Sequence, residues 1–261
     1  MDAGASRSGE HASPTPSAAG GEEGRAEREP AAGLPSIPLV ADAAEHPTTP
    51  TKPTWRGWIH AGTFPVAVAA GILLIALADG AAAKWSAAVY LASSALLFGV
   101  SAIYHRFTWS AKATATLRRL DHSNIFLLIA GSYTPLAVGA LQYPKSAILL
   151  TIVWTGALLG IAFRIFWLQA PRWLYTPLYV ALGFGAFVYI VDLVRSSPIS
   201  MILILGGGVF YIVGAAFYAF KAPNPIPGVF GFHELFHSCT VLAFLAQWVG
   251  ILLVVLHPVG S

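Results

Sequence analysis

The sequence has 261 residues, of which 56% are hydrophobic and only 10% are charged. Soluble domains usually have about 25% charged residues, so this composition, with a mean hydropathy of +0.66, excludes a soluble protein and predicts an integral membrane protein. The net charge of +3 is not arranged as a basic stripe interleaved with aromatic residues, which argues against nucleic-acid binding. The single cysteine excludes an intrachain disulfide.

Residues 1–53 differ in composition from the rest of the chain. They are rich in Ala, Gly, Ser, Pro and Glu, they hold eight of the 12 acidic residues, and they show no apolar periodicity. We therefore expect a disordered cytoplasmic tail that carries no chemistry. The segment lacks the compact apolar region and cleavage site of a secretory signal, so we expect it to be retained.

Residues 54–261 contain successive apolar runs, each close to the roughly 20 residues that a helix needs to cross a bilayer. They predict an all-α fold, a bundle of seven transmembrane helices in one domain. Several runs have Trp or Tyr at their ends, as is typical of residues at the membrane interface. The predicted spans are residues 59–78, 85–104, 123–141, 146–163, 174–191, 199–220 and 235–256.

The lysines and arginines predict the orientation of this bundle, because cytoplasmic loops hold an excess of both. The connecting segments on one side hold Lys52, Arg56, Arg106, Lys112, Arg118, Arg119, Arg164, Arg172 and Lys221. Those on the other side hold only Lys84, Lys145 and Arg195. The amino terminus is therefore predicted to lie inside the cell and, after seven spans, the carboxyl terminus outside.

Two histidines stand at the start of the last apolar run in the pattern H-E-x-x-H, formed by His233, Glu234 and His237. Residues four apart share a helix face, so both imidazoles can bind one Zn²⁺. The simpler alternative is two hydrogen-bonded histidines at a helix start. Residues 238–261 contain no acid and only one further histidine, so the usual downstream third ligand of a soluble zinc protease is missing.

Further polar residues are predicted at the same depth of the membrane. The second span ends with Ser101 and His105, one turn apart, and Asp121 and His122 precede the third. Charged groups beside membrane helices are costly and are functional candidates by default. Three imidazoles, a free position for water and an orienting carboxylate form an open zinc site, and His105 is the natural third ligand. We interpret His122 as an interface residue.

Three motifs together resemble the hemolysin III family, bacterial relatives of the adiponectin and progestin receptors that are distantly similar to alkaline ceramidases. They are S-x-x-Y-H at 101–105, L-D-H-S-x-x-F at 120–126 with A-G-S-Y-T-P at 130–135, and H-E-x-x-H at 233–237. The resemblance covers about residues 55–257 and implies seven helices, with the amino end inside, in the bacterial plasma membrane. It implies His105, His233 and His237 as zinc ligands, Asp121 as the residue that holds the zinc-bound water, and Ser101 as a motif serine near the metal.

The proposed site residues also have simpler roles. Asp121 could pair with Arg118 or Arg119 or cap the third helix. Glu234 is favoured in the first turn of a helix by the helix dipole, whatever its chemistry. Ser101 could bond back to a helix carbonyl.

The leading functional hypothesis is a zinc-dependent hydrolase of lipid amide or ester bonds, whose substrate is a membrane lipid or fatty-acyl molecule within the bilayer. Asp121 would accept a proton from water, and Ser101 or the metal would stabilise the oxyanion. One alternative is a non-enzymatic membrane homeostasis or receptor-like protein with a structural zinc. Another, suggested by the family name, is a pore-forming cytolysin, although mostly apolar helices without a polar stripe offer no evident conduit.

Overall fold

The computed structural model of the chain describes residues 53–259, so the predicted tail lies outside the described residues except for Pro53. The described part is helical, and its only β-type pairing is an isolated bridge between Ile226 and Phe230. Seven helices within it are long and apolar enough to cross a membrane. The prediction of an all-α bundle of seven spans is therefore confirmed.

The helices follow one another with short connections. A 3₁₀ segment, Phe184–Tyr189, joins α5 to α6, so these two helices form the fifth span, Arg172–Ser196. Helices α7 and α8 are then the sixth and seventh spans. The helices are α1 (Trp58–Leu77), α2 (Gly80–Arg106), α3 (Ala111–Ala140), α4 (Lys145–Phe166), α5 (Arg172–Gly183), α6 (Ile190–Ser196), α7 (Pro198–Phe220) and α8 (Phe232–Leu256).

Helix α3 begins at Ala111, well before the start predicted at residue 123. Its first turns carry polar and basic residues, so the pattern of apolar runs does not include them. Ser110 caps the helix, since its side-chain oxygen accepts a hydrogen bond from the backbone N–H of Ala113 at 3.3 Å. Asp121 therefore lies inside α3 and does not cap it.

Close packing of α7 on α8 fixes the helix that carries the H-E-x-x-H motif. A Cβ atom at Gly207 would lie 2.9 Å from the carbonyl oxygen of Ala243, and one at Gly250 would lie 2.9 Å from that of Ser200. Only glycine allows two backbones to approach this closely, as is common between membrane helices.

Helix α3 is the most buried span, with 67% of its apolar window inside the bundle.

One end of the bundle, which we call the basic end, is where α1, α3, α5 and α8 begin and α2, α4 and α7 end. It carries the larger set of basic residues predicted from the sequence. At the opposite end, Lys145 forms an exposed ion pair with Asp192 at 2.7 Å. The described basic residues at the basic end are Arg56, Arg106, Lys112, Arg118, Arg119, Arg164, Arg172 and Lys221.

The orientation of the bundle remains a prediction, in which the basic end faces the cytoplasm. A reporter inserted into the connection at residues 107–110 should be accessible from the cytoplasm, and a reporter fused after Ser261 should be external. If both reporters lie on the same side, the odd number of spans is wrong. If each lies on the side opposite to the expected one, the bundle is inverted.

Candidate metal centre

Three imidazoles converge at the basic end. His105 lies in the last turn of α2, and His233 and His237 lie in the first turns of α8. One ring nitrogen from each residue lies within 4.8 Å of those of the other two. Burial is nearly complete for His105 (8% exposed) and His237 (3%), whereas His233 is partly buried. We call these residues the histidine cluster.

The spacing of two nitrogens in the histidine cluster fits a tetrahedral metal ion. The Nε2 atoms of His105 and His233 are 3.3 Å apart. In a tetrahedral zinc site with Zn–N distances of about 2.0–2.1 Å, two ligand nitrogens are also about 3.3 Å apart. This pair is already at the separation of two zinc ligands, and the nitrogen of His237 lies within 4.8 Å of both.

The segment before α1 holds the helices of the cluster in place. Gly57 has a φ angle of +84°, and a Cβ atom there would lie 2.9 Å from the backbone nitrogen of Arg106 and 3.2 Å from Cβ of His105. The preceding backbone N–H groups of Thr54 and Trp55 donate to carbonyls in the connection between α7 and α8. The start of α1 is thereby tied to both helices that supply the histidines.

Asp121 reaches the cluster from α3. Its Oδ2 atom lies 3.6 Å from Nε2 of His105, and its carboxylate interacts with the side chain of Ser101, which is 2% exposed. The structure therefore brings all five predicted site residues together. In the described chain, Asp121 forms no ion pair with Arg118 or Arg119.

Those two arginines have other partners. Arg118 donates to the carbonyl oxygen of Leu168, and Arg119 donates to that of Ile165. The alternative in which Asp121 pairs with one of them is therefore not observed.

Glu234 does not line the space around the cluster. It is 1% exposed, its Oε1 atom is 2.5 Å from Nε of Arg56, and its Oε2 atom accepts a hydrogen bond from the backbone N–H of Gly231 at 2.9 Å. Both oxygens thus hold the start of α8. This arrangement favours the helix-start role of Glu234 over that of a base acting on metal-bound water.

Replacing Glu234 by Gln should therefore destabilise the protein without removing a bound metal. We expect a loss of about 2 kcal/mol, below the roughly 3–5 kcal/mol of a fully buried pair because Arg56 is 22% exposed. Thermal unfolding in neutral detergent measures the change. Asp192→Asn is the matched control, since its exposed pair with Lys145 should contribute less than about 1 kcal/mol. Equal effects of the two substitutions would contradict this role.

A fourth imidazole, His60 of α1, lies against the cluster and was missed by the sequence analysis. Its ring stacks on that of His237, with centroids 3.8 Å apart and an interplanar angle of 7°. His60 is 3% exposed, and neither of its ring nitrogens has a hydrogen-bond partner in the described chain. The sequence did contain a signal for this residue, a lone histidine near the start of an apolar span. Because polar groups in membrane helices are costly, such a histidine is a functional candidate.

An apolar cavity of about 340 Å³ extends from the cluster into the bundle. One end is lined by the cluster residues His233 and His237 together with His60, Ser101 and Asp121, and the rest mostly by apolar residues, with Gln247 among them. Along α7 the lining runs from residue 218 to residue 201, about 25 Å at 1.5 Å per residue. This volume is in the range of small-molecule sites, and the lining suits an acyl chain. The apolar end includes Phe187, Met201 and Ile251.

Comparison with known sequences agrees with the motifs. A family model described as "Haemolysin-III related" matches residues 48–248. The chain is 34% identical to "Hemolysin-3 homolog" of Bacillus subtilis (strain 168) over 160 residues, which is 60% of this chain and 75% of that protein. It is 37% identical to "Hemolysin-3" of Bacillus cereus over 134 residues, or 51% of this chain and 61% of that protein, and so spans less than two thirds of the latter. With its seven apolar helices, the protein is a multi-pass bacterial membrane protein, and it belongs to the haemolysin III-related family.

Proposed function

We propose that this protein is a zinc-dependent hydrolase that cleaves an amide or ester bond of a membrane lipid. The observation that carries the proposal is the position of the histidine cluster, with Asp121 and Ser101, at one end of an apolar cavity. Three neutral nitrogen ligands and a free fourth position are typical of catalytic zinc. Calcium and magnesium prefer oxygen ligands, so the donor set favours zinc over either.

When bound, zinc would polarise the acyl carbonyl and lower the pKa of a water molecule to about 7. Asp121, whose Oδ2 atom lies 3.6 Å from Nε2 of His105, would accept the proton of the attacking water and return it to the leaving oxygen or nitrogen. The Ser101 hydroxyl, beside Asp121, would donate a hydrogen bond to the oxyanion that forms at the acyl carbon. The cavity would hold the acyl chain and exclude bulk water from the reacting bond.

A structural zinc that only joins α2 to α8 is the main alternative. Structural sites are usually closed by four protein ligands, whereas the histidine cluster supplies three. The fourth side of the cluster meets a cavity with a carboxylate and a hydroxyl in its lining. This arrangement favours chemistry over a purely structural metal. The cavity also suits an acyl chain better than water, which argues against a pore.

Release of fatty acid from a lipid panel tests the proposal. Purified protein in neutral detergent should hydrolyse at least one class among long-chain ceramides, other acyl amides and acyl esters, with the products detected by mass spectrometry. His237→Ala should release none above background. Equal release by this variant and the unaltered protein would show that the activity comes from a contaminant, and the proposal would fail.

A further inference from the structure

A second cavity, of about 630 Å³, lies at the basic end, and we call it the arginine vestibule. Four arginines line it, and no described lining residue is acidic. Arg56 is neutralised by Glu234. The other three, Arg118, Arg164 and Arg172, form no ion pair with any carboxylate in residues 53–259. The vestibule therefore holds an excess of positive charge.

Arg164 is the most deeply placed of these arginines, at 0% exposed. Its terminal nitrogens lie 3.4 Å from the carbonyl oxygens of Trp167 and Leu168, and one also contacts Nδ1 of His122. Its Nε atom is buried and has no partner in the described chain. Its other described contact is with the ring of Tyr175, 4.3 Å from its guanidinium carbon, so no partner of this buried cation carries a negative charge.

Arg118 lies next to Arg164 in the vestibule wall. It donates to the same carbonyl oxygen, that of Leu168, at 3.2 Å, and its Nε atom is also buried without a described partner. Two guanidinium groups thus converge on one oxygen and leave two N–H donors unused. Like charges held this close repel each other, and unpaired buried donors are costly.

A structural role for these arginines would explain only part of this arrangement. Arg118 connects α3 to the segment between α4 and α5, and Arg164 bonds the carbonyls that follow its own helix, α4. Arg164 also stacks over the ring of Tyr175 at 4.3 Å, and Arg172 over that of Tyr218 at 4.4 Å. These contacts stabilise the cations but do not neutralise them, so the excess positive charge of the vestibule is left without a function. A bound phosphate would neutralise this charge, because its oxygens accept several hydrogen bonds and match the planar guanidinium fork.

The vestibule and the apolar cavity share a wall formed by His122, Tyr175, Tyr218 and His233. A molecule that passes between these side chains, with a phosphate in the vestibule and an acyl chain in the cavity, would place the linking bond beside the histidine cluster. We propose that the arginine vestibule binds the phosphate of an acylated phospholipid, and that such lipids are the substrate class. The substrate assignment rests on the proposed hydrolase function, whereas phosphate binding does not.

The reaction would be a simple hydrolysis. The water oxygen bonds to the acyl carbon, and the carbon–oxygen or carbon–nitrogen bond of the lipid breaks. One water proton passes through Asp121 to the leaving atom. The products are a fatty acid and a phosphorylated alcohol or amine, and no further reactant is needed.

Equilibrium binding of two matched lipids to the purified full chain, stripped of metal by a chelator so that neither lipid is hydrolysed, tests the phosphate site. Palmitoyl lysophosphatidate and monopalmitoylglycerol differ only by the phosphate. The unaltered protein should bind the phosphorylated lipid at least about ten-fold more tightly, since hydrogen bonds between charged groups are the strong ones. Inorganic phosphate should bind far more weakly than the lipid. Equal affinity for the two lipids would overturn the proposal, and inorganic phosphate binding as tightly as lysophosphatidate would overturn its lipid part.

Arg118→Gln and Arg119→Gln form a matched pair of variants. Both residues lie on α3 and donate to carbonyls near the end of α4, but only Arg118 lines the vestibule. Arg118→Gln should lose the ten-fold preference for lysophosphatidate, and Arg119→Gln should keep it. Arg164→Gln should lose it too, provided that thermal unfolding shows a folded protein. Equal losses in Arg118→Gln and Arg119→Gln would contradict a vestibule site.

Asp121→Asn separates this inference from the proposed function. The asparagine leaves the vestibule arginines in place, so the variant should still prefer lysophosphatidate while hydrolysing it about 10²–10⁴-fold more slowly. Preferential binding by a protein that hydrolyses no lipid would support the phosphate site and refute the hydrolase. Hydrolysis without preferential binding would refute the phosphate site alone.

Discussion

Replacing His105, His233 or His237 by Ala should remove most of the zinc from a protein that otherwise holds about one ion per chain. The reason is geometric, since a site with three protein ligands that loses one keeps only two, too few to hold zinc tightly. Elemental analysis of purified protein by mass spectrometry gives the zinc-to-chain ratio. Stoichiometric zinc in all three variants would rule out this ligand set.

Three other histidines provide controls for the zinc measurement. His122→Ala and His257→Ala should keep the metal, because neither residue belongs to the group of three converging nitrogens. His60→Ala is the closest control, since its ring contacts His237 by stacking alone. Loss of zinc in His60→Ala at normal thermal stability would instead make His60 a ligand.

Asp121→Asn should keep both the fold and the zinc but lower the hydrolysis rate by about 10²–10⁴-fold, the usual contribution of a positioned general base. An amide has nearly the shape of a carboxylate, yet it cannot accept the proton that the attacking water must release. Initial rates of fatty-acid release, measured on the most reactive lipid, give the size of the effect. An unchanged rate would remove Asp121 from the mechanism.

Glu234→Gln is the internal comparison for Asp121→Asn. In a mechanism like that of the soluble zinc proteases, the glutamate of H-E-x-x-H is the base, and the larger loss would occur there. The structure instead places both Glu234 oxygens on Arg56 and Gly231. We therefore expect Glu234→Gln to lower stability much more than the rate per folded molecule.

The seven spans could be predicted because length and hydropathy are local properties of the sequence. The start of α3 could not be predicted in this way. Its first turns, after the capping residue Ser110, are polar and basic, and a count of apolar runs assigns such a segment to a loop. The fifth span was predicted as one helix, but the structure interrupts it with a 3₁₀ segment at Phe184–Tyr189. That irregularity depends on tertiary packing, which includes a hydrogen bond from Tyr133 to the carbonyl of Gly183.

The histidine cluster was predictable because motif spacing and span direction together put its members at one depth. The partner of Glu234 was not, since Arg56 lies 178 residues away in the sequence and only the folded chain shows that they meet. The arginine vestibule could not be predicted from the sequence either. Its arginines were counted as orientation signals, and their convergence on the carbonyl of Leu168 depends on how α3 packs against the end of α4.

The dependence of lipid hydrolysis on bound zinc tests the central claim most directly. Protein stripped of metal by a chelator should release no fatty acid from the best lipid of the panel, and activity should return in proportion to added zinc and level off near one ion per chain. Hydrolysis that persists after the zinc is gone would contradict the account. So would zinc-loaded protein that hydrolyses no lipid but unfolds at a much lower temperature once the metal is removed, because the zinc would then be structural.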